Sequence, residues 1–240
     1  MPVDDTGPVP TNPRPPRLGE RTTTDLAGTS SSIVLAVPLG STEQHGPHLP
    51  LETDTTIAVA LADRLAARRP DVVAAPALPY GSSGEHAGFV GTLSIGQEAL
   101  ELVVVELVRS ADTFAGTVLV CGHAGNAAPV GRAVRTLRAE GRRVAAWFPT
   151  APDGDAHAGR TETSVVLALE PELVRTRAVR PGVTTPLAEL LTELRRTGVA
   201  GVSASGVLGD PTTATDAHGH ELLERFVDEL SRLVDDLLRP

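Results

Sequence analysis

Two short runs, Ile33-Val34-Leu35-Ala36-Val37 and Thr117-Val118-Leu119-Val120-Cys121, constrain the fold more than any other part of this chain. Neither alternates with polar residues, so a strand made from either must be covered on both faces. The first ends at Pro38 and opens into the loop Gly40-Ser41-Thr42-Glu43-Gln44-His45-Gly46-Pro47-His48. The second ends at Gly122-His123-Ala124-Gly125-Asn126. Helical periodicity follows each loop. Strand, loop and helix repeated in this order build a largely parallel sheet with crossover helices.

The unit recurs along the chain. A helix is predicted from Asp54 to Arg69, with Thr53 as cap and Pro70 as stop. A strand at Val72–Ala75 leads into the Gly-rich loop Tyr80–His86 and a helix over Gln97–Phe114. A helix at Val130–Glu140 and a strand at Arg143–Phe148 come next. The loop 153–159 feeds a helix from Glu162, and two more helices cover Pro186–Thr197 and Thr215–Leu238. The first 17 residues hold six prolines and no apolar period, so residues 1–30 are read as a disordered leader before one domain, 31–240.

Composition narrows the chemistry. Aromatic residues are only 2% of the chain, so the core is filled by Ala, Val and Leu, which suit closely packed α/β layers. All 21 basic residues are arginine, consistent with the compositional bias of a high-GC genome. The absence of lysine excludes Schiff-base catalysis and a P-loop. A single cysteine, Cys121, excludes an internal disulfide and a cysteine-rich zinc module. The net charge of -9 and the scattered arginines argue against a nucleic-acid surface. No apolar run approaches the about 20 residues that span a bilayer, and no signal-peptide pattern opens the chain. A cytoplasmic protein without a membrane partner is expected. No G-x-S-x-G elbow or G-x-G-x-x-G turn supports a serine hydrolase or a dinucleotide site.

The histidines gather where a parallel sheet places its ligands, beyond the carboxyl ends of the strands. His45 and His48 follow the first strand, His86 the second, His123 the third and His157 the fourth. Glu43 and His45 share one loop, Asp54 opens the next helix, and Glu162 opens the helix after His157. Carboxylates and imidazoles without thiolate suit Zn2+, Fe2+ or Mn2+. Taken singly, each residue has a plainer reading. Glu43 can be a solvated loop residue, Asp54 and Glu162 can simply favour a helix N-terminus, and His123 can be a satisfied hydrogen-bonding residue. Their joint placement favours a site. His218 and His220, near the start of the last helix, read as surface or partner contacts, and Cys121 as an inert core thiol.

At these residues the sequence resembles the creatininase family. Three blocks carry the likeness: Pro38 to Pro50 followed by Asp54, then Gly122–Asn126, then Asp155–Gly159 with Glu162-Thr163-Ser164. The resemblance implies a three-layer α/β/α sandwich, two divalent metal ions per chain and a ring-like homo-oligomer. Carried over by position, Glu43 binds one ion, His45 the other, Asp54 bridges them and His123 completes the first site. Creatininase itself has a glutamate where this chain has Gly125, and Glu162 is expected to supply the missing carboxylate. His157 is expected to protonate the leaving nitrogen, or else to orient a ligand. Within the family the likeness is to a peptidase branch that trims a modified precursor peptide, cutting before its C-terminal Val-Tyr-derived unit. Hydrolysis of a small amide, as by a cyclic amidohydrolase or deformylase, is the alternative. A non-catalytic metal-binding scaffold for the peptide is a third reading.

Overall fold

The computed structural model describes residues 17–150 and 155–239. Four strands form one parallel sheet: β1 (Val34–Leu39), β2 (Val72–Ala74), β3 (Gly116–Cys121) and β4 (Val144–Trp147), in the order β2-β1-β3-β4. After a short helix α1 (Thr23–Leu26), the crossovers are α2 (Thr53–Arg68), α3 (Gln97–Ser110) and α4 (Ala127–Ala139). Helices α5 (Arg160–Leu169), α6 (Leu187–Val202) and α7 (Asp216–Leu238) complete the chain.

Strand side chains point alternately to the two faces, and each face finds a helical layer. Val34, Ala36, Val118 and Val120 pack with Leu61 and Leu65 of α2, Val166 of α5 and Leu223, Phe226 and Leu230 of α7. Leu35, Val37, Leu119 and Cys121 pack with Val104 and Val108 of α3 and Val130 and Leu137 of α4. The fold is the expected three-layer α/β/α sandwich. Its core is almost wholly aliphatic, with Trp147 stacked edge-on against Phe226 as the aromatic exception. Among the described residues, no helix is long and apolar enough to cross a membrane.

Two local expectations give way. β1 runs through Pro38 to Leu39 rather than ending at the proline. The Pro38 carbonyl accepts the Leu78 N–H, so its missing N–H lies on the β2 side, where β2 has already ended at Ala74. No ladder bond is lost there. The expected disordered leader, residues 1–30, is described only from residue 17 onward. Residues 1–16 lie outside the described residues, whereas residues 17–30 hold short helical turns and a Thr22–Asp25 capping box. Arg17 ties this segment to Asp63 of α2.

Candidate metal centre

The site is assembled where the carboxyl ends of β1 and β3 meet the start of α2. Gly122, just past β3, lets α2 seat there: a Cβ at that position would lie 2.2 Å from the Asp54 carbonyl oxygen. The close approach places Asp54, in the first turn of α2, over the sheet end, where the Ser41 hydroxyl donates to its Oδ2 at 2.6 Å. Asn126 fastens three loops together. Its Nδ2 donates to the Gly40 carbonyl at 3.0 Å, and its Oδ1 accepts the Ser82 N–H at 2.9 Å. Asp155 accepts the N–H groups of Arg160 and Thr161 at the start of α5, which sets the position of the loop carrying His157 and of Glu162.

Glu43, His45, Asp54, His123, His157 and Glu162 come together. The ring nitrogens of His123 lie 3.2 Å from Glu43 Oε2 and 3.3 Å from Asp54 Oδ2. His45 Nε2 lies 3.2 Å from Asp54 Oδ1 and 3.9 Å from Glu162 Oε2. Three donor sets each fall within 4.8 Å: Glu43, Asp54 and His123; His45, Asp54 and Glu162; Glu43, His45 and His157. Asp54 belongs to two of the three sets, with Oδ1 toward His45 and Oδ2 toward His123.

Glu43, His45, Asp54, His123 and His157 are buried, whereas the Glu162 side chain is about a quarter exposed. Glu43 is fully buried, and neither of its carboxylate oxygens has a hydrogen-bond partner. Its nearest basic neighbours are the imidazole nitrogens of His123 and His86, at 3.2 and 3.3 Å, and a carboxylate buried in this way normally neutralises, pairs or binds a cation. Burial alone would lower His45 and His123 and raise Asp54. Mutual attraction overrides it: Asp54, Glu162 and Glu43 lift His45 to about 10. Asp54 and Glu43 hold His123 well above the usual imidazole range, and the two rings hold Asp54 well below the usual carboxylate range. Burial dominates elsewhere, raising Glu162 to about 7, lowering His86 to about 4 and holding His157 well below its ordinary value. Each of the three sets is made of hard oxygen and imidazole donors, with no thiolate and no arginine. This donor set fits divalent cations.

The sequence profile of the creatininase family, creatinine amidohydrolase, matches residues 19–234. The chain belongs to the creatininase family. It is 53% identical over 228 residues to the mycofactocin precursor peptide peptidase of Mycobacterium tuberculosis H37Rv, covering 90% of each chain. Two solved creatininase structures, a zinc–zinc form of a variant and a manganese form, superpose with a TM-score of 0.77 at 27% identity. Each superposition covers 93% of this chain and 98% of the other. Creatininase-family structures are thus described with zinc and with manganese, and this chain has donor sets able to hold such ions.

The site also holds residues that sequence reasoning left without a role. His86, from the loop after β2, turns its Nε2 to within 3.3 Å of Glu43 Oε1. Glu85 Oε1 lies 3.5 Å from His123 Nε2, and a Cβ at Gly125 would come within 2.1 Å of it. Glu85 therefore reaches from a different loop into the space that a side chain at residue 125 would enter. Glu162 stands on the His45 side instead. Position after a strand was the readable signal for Glu85 and His86; nothing local marked Gln44, which is buried between His86 and His157. His48 is buried against Thr163 outside the donor sets, and His218 and His220 lie away from them on α7. Beside the cluster opens a cavity of about 350 Å³, bounded by Leu187, Leu191 and Leu194 of α6 and by Phe148 and Pro149.

Proposed function

We propose that this chain is a two-metal peptidase that hydrolyses the amide before the modified Val-Tyr-derived end of the mycofactocin precursor peptide. The observation that carries the reading is the Glu43 carboxylate, buried and without a hydrogen bond behind His86, His123 and His157, three rings that border an apolar cavity. Glu43, Asp54 and His123 would hold one divalent ion, and His45, Asp54 and Glu162 the other, with Asp54 shared. Fe2+ and Zn2+ suit these donors, and Mn2+ is acceptable. When bound, the ions supply an acidified water and polarise the amide carbonyl.

The remaining work falls to the chain itself. The Gln44 carbonyl accepts from His157 Nε2 at 2.8 Å, so the lone pair of the neutral ring is at Nδ1, which faces Glu43 Oε1 at 3.8 Å. Nδ1 takes a proton from the attacking water and passes it to the leaving nitrogen as the C–N bond breaks. The leucines of α6 offer an apolar wall suited to the side chains of a Val-Tyr-derived unit, and the chain's single tryptophan is packed in the core. A small polar ring such as creatinine would leave that wall unused. A homo-oligomer, implied by the family likeness, belongs to the same proposal.

The test is mass spectrometry of the modified precursor peptide after incubation with zinc- or iron-loaded protein. Release of the C-terminal unit, lost on chelation and in Glu43→Gln, is the expected result. Equal cleavage by metal-free protein defeats the metal-dependent reading. Tight binding of intact peptide without cleavage replaces it with the scaffold reading.

A further inference from the structure

Gln44 makes more contacts than a spacer between Glu43 and His45 requires. It is buried, and two backbone groups decide which way its amide points. The Gly46 N–H donates to Oε1 at 2.9 Å, and Nε2 donates to the Gly206 carbonyl at 3.2 Å. Reversing the amide would set donor against donor at Gly46 and acceptor against acceptor at Gly206. With that orientation fixed, the second Nε2 hydrogen points to His86 Nδ1, 2.8 Å away. His86 Nδ1 is therefore the accepting nitrogen, and its Nε2 carries the hydrogen.

His157 is held by the same residue through a different group. Its Nε2 lies 2.8 Å from the Gln44 backbone carbonyl, which can only accept. Nε2 also lies 3.1 Å from the side-chain nitrogen, whose two hydrogens are already placed on Gly206 and His86. Both rings are thus Nε2–H tautomers, yet they turn opposite edges inward. His86 Nε2, which carries the hydrogen, lies 3.3 Å from Glu43 Oε1 without a hydrogen bond to it, and the bare Nδ1 of His157 lies 3.8 Å from the same oxygen. Both rings border the cavity.

We infer that Gln44 is a positioning residue that fixes His86 as a hydrogen-bond donor and His157 as a proton acceptor beside the same oxygen of Glu43. Its side-chain amide sets His86, and its backbone carbonyl sets His157. Amide hydrolysis needs one group of each kind, a donor for the developing negative oxygen and an acceptor for the proton of water. The catalytic use of this pair rests on the hydrolase reading above; the ring assignment does not.

The experiment is a long-range 1H–15N correlation on zinc-loaded, full-length protein with ring-labelled histidine, without substrate. His86→Gln and His157→Asn identify the two spin systems. In the parent protein both rings should show a protonated Nε2 and a bare Nδ1. Gln44→Glu places an acceptor at His86 Nδ1, at the cost of opposing the Gly206 carbonyl, so His86 should change to the Nδ1–H form while His157 keeps its pattern. Gln44→Met removes the donor and should leave His86 as a mixture of tautomers, again with His157 unchanged. Zinc content is measured alongside. Hydrolysis by both variants should fall about 10- to 100-fold in kcat with little change in KM, the usual scale for residues that orient a site's histidines. A protonated His86 Nδ1 in the parent overturns the assignment, as does a His86 pattern indifferent to residue 44. The expected ring patterns in a protein that cuts no peptide would sink the hydrolase reading and leave the assignment standing.

Discussion

The two ends of the sheet treat charge in opposite ways. At the amino ends of the strands, charges lie at the surface in matched pairs. Arg142 pairs with Asp112 and Glu140, and Arg69 pairs with Asp71 and Asp235. At the carboxyl ends, Glu43 and Asp54 are buried among His45, His86, His123 and His157, without an arginine. Water screens the first arrangement, and it costs and contributes little. The second is excluded from water and, without a cation, is left to charge its own imidazoles. Carboxylates gathered in a dry place without arginine mark where the fold gives up stability for chemistry.

The contrast is broken most severely at Asp54. Asp54→Asn removes the carboxylate shared by two donor sets, and it should cost about 100-fold or more in peptide hydrolysis, above the cost of a merely supporting residue. Zinc content per chain should fall in the same preparation, and an unchanged content would remove Asp54 from the centre. Proton release tests the same charges in the parent. His45 is lifted to about 10 and His123 is raised well above its usual range, so the metal-free site favours the protonated rings. Ligand nitrogens must be bare, so zinc added in weak buffer should release protons, and its apparent affinity should climb as pH rises toward 10. Zinc binding without proton release would refute the assignment.

Gly125→Ala should have an intermediate effect. The new methyl would meet Glu85 Oε1 at 2.1 Å, His123 Nε2 at 2.3 Å and the Ser82 carbonyl oxygen at 2.7 Å. Displacing these groups should weaken zinc binding about 10-fold, in line with overpacking costs of about 1–3 kcal/mol. Glu85→Ala in the same chain removes one of the three clashes and should restore part of the affinity. No recovery would show that His123 and the Ser82 carbonyl carry the conflict.

Asp71→Asn, at the other end of the sheet, should be the mildest. Its hydrogen bonds with Arg69 hold the carboxyl below its ordinary value, so the pair's stabilisation is full above the unfolded carboxylate range. It fades as pH falls through the lowered value. Because the pair is partly exposed, the loss at neutral pH should stay within about 1 kcal/mol by denaturant unfolding, with hydrolysis unchanged. A larger loss would mean that water screens the amino end less well than its exposure suggests.

Much of this was legible in the chain. The unbroken runs before Pro38 and Gly122 require cover on both faces, which fixes parallel strands and flanking helices through hydrophobicity alone. A histidine in each loop after a strand then falls at one end of the sheet for topological reasons. Boundaries were less legible: Pro38 lies within a strand because its neighbour β2 stops early, a fact about another segment. Glu85 and His86 sat in a loop of the right kind, but only packing brings them to His123 and Glu43.

By itself, then, the sequence determined the layered architecture, the strand ends as the place of the site, and Glu43, His45, Asp54, His123, His157 and Glu162 as its candidate residues. These follow from apolar patterning and chain order, which are local properties, and from likeness to a family. The tertiary structure decided which nitrogen of His86 and of His157 faces Glu43, and that Glu85 enters the space beside Gly125. Such choices depend on hydrogen-bond partners distant in sequence, Gly206 for Gln44 and Gln44 for His157, and no local pattern encodes them.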